Sequence, residues 1–102
     1  MSLDKTTVET GVLSDSGSFY IEAKGSAGWI YDRLVVSTFD SSSDCEVYIT
    51  VYDPDGKAFA ETFLLGGNKS HTVSKKFSKK GNYKIYYNVY QGSTRIRAQF
   101  NP

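Results

Sequence analysis

Cys45-Glu46-Val47-Tyr48-Ile49-Thr50-Val51-Tyr52-Asp53-Pro54-Asp55-Gly56-Lys57 is the stretch whose reading decides the fold. Side chains of a β-strand point alternately to its two faces, so Cys45, Val47, Ile49 and Val51 can enter a core while Glu46, Tyr48, Thr50 and Tyr52 face away from it. The next four residues are turn chemistry. Pro54 presets its own φ, the Asp side chains can accept bonds from nearby amides, and Gly56 takes a positive φ without a steric penalty. The segment therefore predicts a half-buried strand running into a tight turn, with Ala58 to Leu65 returning antiparallel to it.

Outward from that hairpin the chain is punctuated in the same way. Thr6 to Leu13 is a weak first strand, broken by Ser14-Asp15-Ser16-Gly17. Ser18 to Ala23 follows, with Phe19, Ile21 and Ala23 on one face and Tyr20 and Glu22 on the other. After the loop Lys24-Gly25-Ser26-Ala27-Gly28, the β-branched content of Trp29 to Phe39 favours a strand over a helix. Neither parity of that segment is cleanly apolar, so a bulge near Asp32-Arg33 is expected. Gly66-Gly67-Asn68-Lys69 precedes Ser70 to Phe77, a polar strand suited to a sheet edge with Lys75 pointing inward. Tyr83 to Tyr90 and Thr94 to Phe100 alternate well on either side of Gln91-Gly92-Ser93. About eight short strands between Gly, Ser, Asn and Asp clusters indicate an all-β chain, an antiparallel β-sandwich of jelly-roll or immunoglobulin-like type. Its core is predicted from Val47, Ile49, Val51, Ile85, Val89, Ile96, Ala98 and Phe100.

A length of 102 residues fits one domain over 1–102, with 1–5 as a flexible leader. Folding at this size buries roughly two thirds of the unfolded chain's surface, enough for a core without metal or disulfide staples. Twelve Lys and Arg against eleven Asp and Glu leave a net charge of +1, which argues against bulk electrostatic binding of nucleic acid. No run approaches the roughly 20 apolar residues of a membrane span, so membrane insertion is not expected. Met1-Ser2-Leu3-Asp4-Lys5 lacks the apolar region of a signal peptide. It reads either as the start of a cytoplasmic protein or as a leader replacing a removed export signal, and the second reading is preferred.

From Asp44 onward the order of features resembles the bacterial pre-peptidase C-terminal domain. The residues that carry the resemblance are the strand entering Tyr52-Asp53-Pro54-Asp55-Gly56, a following polar strand, Gly81-Asn82-Tyr83-Lys84-Ile85-Tyr86-Tyr87, then Gly92 and a last alternating strand. The resemblance implies a jelly-roll-like sandwich that is secreted or held at the cell surface and serves adhesion, targeting or substrate binding without catalysis, sometimes with calcium.

Chemistry-bearing residues are few. The single Cys45 falls on the apolar parity of its strand and reads as a small core residue, and the single His71 has no accompanying nucleophile motif. One Cys and one His do not make a zinc site without two carboxylates. Asp53-x-Asp55-Gly56 resembles the start of a calcium loop, but the distal Glu of such a loop is missing and a hairpin turn is the simpler reading. Neither a metal nor another cofactor is expected. Lys75-Lys76-Phe77-Ser78-Lys79-Lys80 reads as a solvated edge and turn rather than an anion site.

The remaining candidate is a face. If Val47, Ile49, Val51, Ile85 and Val89 point inward, Tyr48, Tyr52, Tyr86 and Tyr90 point outward, and Arg95 and Arg97 face out from the last strand. Flat rings with polar tips beside planar guanidiniums are the materials of a binding face. These six residues are the expected ligand-binding set. The function expected is a non-catalytic extracellular module recognising a carbohydrate or a protein surface. The alternative is a small inhibitor or interaction domain presenting Gly66-Gly67-Asn68 to a partner protein.

Overall fold

In the computed structural model, residues 7–24 and 33–101 are described. They form eight strands: β1 (Thr7–Glu9), β2 (Ser16–Ala23), β3 (Arg33–Phe39), β4 (Glu46–Tyr52), β5 (Phe63–Gly66), β6 (Ser70–Val73), β7 (Gly81–Gln91) and β8 (Arg95–Asn101). Every pairing is antiparallel. One four-stranded sheet, called sheet I, has the order β1-β8-β3-β6, and sheet II has the order β2-β7-β4-β5.

The pairs nest: β4 with β5, β3 with β6, β2 with β7 and β1 with β8. The chain is thus one long antiparallel hairpin with β4 and β5 at its tip, rolled so that β3 also meets β8 and β4 also meets β7. That order is the jelly roll, which decides between the two sandwich types left open by the sequence.

The core follows the alternation. Val47, Ile49 and Val51 of β4, Ile85 and Val89 of β7, and Ile96, Ala98 and Phe100 of β8 are all buried, as expected. Burying a side chain of the size of Ile49 stabilises by about 1.5–3 kcal/mol relative to leaving it in water. β3 adds Leu34, Val36 and Thr38, so its parity within the described residues is regular. The expected bulge at Asp32-Arg33 and the Trp29 end of that segment lie outside the described residues at Asp32 and before, as does the leader at 1–5.

Other boundaries differ from expectation. β2 begins at Ser16, because β7 is long enough to pair with Ser16 and Gly17. Gly17 is needed there: a Cβ would lie 2.6 Å from the hydroxyl of Tyr87, which crosses over it. The strand expected over Ala58 to Leu65 shrinks to β5 and a bridge between Tyr52 and Ala58. Phe59 stays tied to β4, its N–H donating to the Val51 carbonyl at 2.8 Å, while its ring packs 4.7 Å from Phe77 and 5.5 Å from Tyr83; regular pairing resumes only at Phe63. β6 does lie at a sheet edge, but it ends at Val73. Lys75 is exposed rather than inward, and its ammonium donates to the Phe59 carbonyl at 2.6 Å.

The loop between β3 and β4 is pinned from both sides. Ser42 N–H donates to the Ser93 carbonyl and Ser93 N–H to Ser42 Oγ, both at 2.9 Å. Buried Thr94 Oγ1 lies 2.7 Å from Ser41 Oγ, and Asn68 N–H donates to Ser41 Oγ at 3.2 Å. Gly92, at φ 77°, allows this closeness: a Cβ would run into Ser42 Oγ and lie 2.6 Å from Asp44 Oδ1. Gly92→Ala is therefore expected to cost roughly 2–4 kcal/mol, from left-handed strain plus overpacking. Gly11→Ala, where a Cβ meets nothing within 4 Å, is expected to be nearly neutral. Denaturant midpoints of the two variants check the contrast.

Candidate functional site

The outer face of sheet II carries the candidate site. Its registers set three rows across the strands: Tyr20 beside Lys84 beside Tyr52, then Ser18 beside Tyr86 beside Thr50, then Ser16 beside Asn88 beside Tyr48 beside Leu64. Relative exposures are 56% for Tyr20, 36% for Tyr86, 41% for Tyr48 and 49% for Leu64. Beyond the last row the β4–β7 register skips one residue of β7, Tyr90, since Val47 faces Val89 while Glu46 faces Gln91. This bulge leaves Tyr90 68% exposed, with its ring edge-on to Tyr48 at 6.0 Å between centroids. Tyr52 is only half-buried and is capped by Lys84, whose ammonium sits 5.2 Å from the ring centroid. Thr50 is held by a 2.8 Å bond to Thr62.

Four of the six expected residues, Tyr48, Tyr52, Tyr86 and Tyr90, thus share one face. Arg95 and Arg97 do not. They belong to β8 and sheet I, whose outer face is on the other side of the sandwich. There the two guanidiniums flank the outward ring of Phe39 at 4.6 and 4.7 Å. Arg95 also bonds the Thr10 carbonyl at 3.1 Å and Asp40 at 3.2 Å, and Arg97 bonds Glu9 at 2.6 Å. The expected single face of Tyr and Arg is accordingly corrected to two: a tyrosine face on sheet II, and a cation-and-ring ladder on sheet I that is matched by its own acids. Tyr20 and Leu64 are the residues the expected set lacked. Tyr20 was already outward by parity, and only the pairing of β2 with β7 brings it beside Tyr86.

The other candidates resolve into structure. Cys45 is buried, and burial pushes its thiol above the ordinary range, so it stays neutral. His71 stacks on Phe63 of the neighbouring edge strand at 4.0 Å between centroids. The two rings line a cleft of about 310 Å³ at the edge where β5 and β6 meet. A second concavity of about 440 Å³ lies alongside, around Phe59, Glu61 and Lys75. None of the tyrosines of sheet II lines either one.

The Asp53-Pro54-Asp55-Gly56 turn spends its carboxylates on itself. Asp53 Oδ1 accepts from the N–H groups of Asp55 at 2.9 Å and Lys57 at 3.0 Å, and the Lys79 ammonium pairs with Asp55 and, at 3.6 Å, with Asp53 Oδ2. Among the described residues no group of three or more His, Cys, Asp or Glu is placed to hold a metal ion. Two of the four lysines between Lys75 and Lys80 are committed as well, Lys75 to the Phe59 carbonyl and Lys79 to this turn.

No protein-family model matches the chain, and no curated protein matches it in sequence. Solved structures are similar, two among them as follows. The crystal structure of PirA aligns with a TM-score of 0.56 at 7% identity, covering 99% of this chain and 97% of that one. The SPBc2 prophage-derived protein YomS aligns with a TM-score of 0.52 at 17% identity, covering 98% and 96%. The likeness is one of fold. It supports the β-sandwich over essentially the whole chain and carries no site residue with it.

The turn generates a pH prediction. The bond from Lys57 N–H, helped by that from Asp55 N–H and by the charge of Lys79, holds the Asp53 carboxyl below its usual value, with desolvation opposing them. A carboxyl depressed in the folded state adds stability above its unfolded pKa of about 3.9, and that stability is lost as the pH falls through the lower folded value. The melting temperature is therefore expected to drop below about pH 4. Asp53→Asn, which keeps an oxygen acceptor but cannot titrate, is expected to fall less steeply between pH 5 and pH 2. Thermal melts of both proteins across that range read the difference.

Proposed function

We propose that this chain is a non-catalytic binding module that holds a carbohydrate ligand against the outer tyrosine face of sheet II. One observation carries the reading: Tyr20, Tyr86, Tyr48 and Tyr90 expose their rings on a single solvent-facing sheet, with Tyr48 and Tyr90 set edge to face. Several exposed rings on one sheet face are uncommon on a surface with nothing to bind. A tyrosine offers a flat apolar ring for the C–H face of a sugar and a hydroxyl for its polar rim. Ser18, Thr50 and Asn88 stand between the rings as neutral hydrogen-bonding groups.

A protein partner is supported less well. Stable protein interfaces bury about 800 Å² on each side around a desolvated centre, whereas these rings are separated by polar side chains. The inhibitor reading also loses ground. Gly67 packs so closely on the loop between β3 and β4 that a Cβ would lie 2.9 Å from Ser41 Cβ, and Asn68 is bonded to Ser41. That turn is tied down against its neighbour rather than offered outward. Recognition of glycan fits a secreted or surface-held module, the placement implied by the resemblance to pre-peptidase C-terminal domains.

A glycan array followed by affinity measurement tests the reading. The protein is expected to retain at least one carbohydrate class. Tyr48→Ser and Tyr90→Ser are each expected to weaken that binding by roughly tenfold, a loss of about 1.4 kcal/mol. Their melting temperatures should move by only a few degrees, since both side chains are largely exposed. Absence of any retained glycan, or full retention by both variants, overturns the proposal.

A further inference from the structure

The geometry points to a linear ligand: we infer that the face binds internal segments of an extended, uncharged, β-1,4-linked polysaccharide lying diagonally across sheet II over Tyr20, Tyr86 and Tyr48. This rests on the carbohydrate reading above and adds to it the ligand's shape, charge and direction.

The line follows from the registers. Tyr86 faces Ser18 on one side and Thr50 on the other. Tyr20 is two residues beyond Ser18, and Tyr48 is two residues before Thr50. Because both pairings are antiparallel, these two displacements run to opposite ends of β7, and the three rings fall on one diagonal of the sheet. Diagonal neighbours are about 7–8 Å apart, so Tyr20 to Tyr48 spans about 15 Å, several sugar rings in length. Tyr90 extends the aromatic surface past Tyr48.

Three further features select the ligand. The diagonal has no charged side chain on it, and the Lys84 ammonium beside it is occupied over the ring of Tyr52. An acidic polysaccharide would meet one ammonium beside the line, Lys84, already held over a ring. The track runs over open sheet: the concavity of about 310 Å³ lies at the β5–β6 edge, and that of about 440 Å³ reaches the flank of the track only at Thr50. A chain end, which needs an enclosing pocket for its extra hydroxyl, gains nothing here, whereas the middle of a chain can lie across the surface. Spaced rings in a row reward a flat ribbon that presents ring after ring on one side, the shape of β-1,4-linked glucose, xylose or N-acetylglucosamine polymers.

The experiment is calorimetric titration with cello-, xylo- and chito-oligosaccharides from the disaccharide to the hexasaccharide, on the full chain and on Tyr20→Ser, Tyr86→Ser and Tyr52→Ser. Melting curves confirm that each variant is folded before it is titrated. In at least one series the affinity is expected to rise more than tenfold from disaccharide to hexasaccharide. Tyr20→Ser, at the far end of the line, should remove most of that rise. Tyr86→Ser should weaken the longer oligosaccharides, and Tyr52→Ser, off the line and capped by Lys84, should bind like the parent. Affinity independent of length, or a length dependence untouched by Tyr20→Ser, overturns the linear track and leaves the carbohydrate reading standing. Failure of all three series together with a blank glycan array overturns both.

Discussion

The pairing of β4 with β7 is the interaction on which both the core and the candidate site depend. Its register sets Val47 against Val89 and Val51 against Ile85 inside the sandwich, and the same register sets Tyr48 against Asn88, Thr50 against Tyr86 and Tyr52 against Lys84 outside. A slip of one residue would turn every one of these side chains to the wrong face. Burial of the inner set therefore specifies the outer set at no separate cost. The register shift at Tyr90 is the one departure, and it comes after the last buried pair, where it leaves that residue without a β4 partner and the core undisturbed.

The two sheets are joined at one end by rings rather than by strands. Phe77, Tyr83 and Phe100 meet edge to face at centroid distances of 5.2, 5.0 and 5.8 Å, with Tyr83 from sheet II, Phe100 from sheet I and Phe77 from the connection between β6 and β7. Such pairs contribute about 0.5–1.5 kcal/mol each beyond the area they bury. The cluster also reaches the turn after β4: the hydroxyl of Tyr83 donates to the Lys79 carbonyl at 3.1 Å, and the Lys79 side chain pairs with the acids of that turn. Gly81, at φ 127°, brings the start of β7 against the same turn, where a Cβ would lie 3.0 Å from Pro54 Cβ. Asp53, Pro54 and Asp55 thus serve as the socket for the neighbouring turn, which gives the paired carboxylates a structural role.

Alternation in the sequence was enough to read the strands of β4, β7 and β8, their inward residues and the all-β class. It was also enough to turn Tyr48, Tyr52, Tyr86 and Tyr90 outward. It could not say which outside they shared. Period-two patterning places a side chain relative to its own sheet, while membership of a sheet is decided by pairings between residues far apart in the chain. Arg95 and Tyr48 were both correctly outward, yet β8 pairs with β3 and β1, and β4 with β7 and β5. The same limit hid Tyr20, whose place beside Tyr86 exists only through the β2–β7 register. The length of the strand after the turn was also misread: beyond the bridge at Ala58 and the bond from Phe59 N–H to Val51, pairing with β4 resumes only at Phe63.

That contrast between the two outer faces is the strongest structural support for a functional asymmetry. Sheet I turns an apolar ring outward and sets two guanidiniums against it, which Glu9 and Asp40 neutralise in turn. A face arranged in this way satisfies itself, because the ring has its cations and the cations have their acids. Sheet II treats only Tyr52 in that manner, under Lys84. Tyr20, Tyr86, Tyr48 and Tyr90 keep their rings in solvent, at a cost in unburied apolar surface that the fold does not recover internally. A chain that can cover Phe39 and Tyr52 with its own cations has the means to cover such rings. On sheet II the apolar area of these four rings is left partly in water, and it is this difference between the faces that the binding proposal rests on.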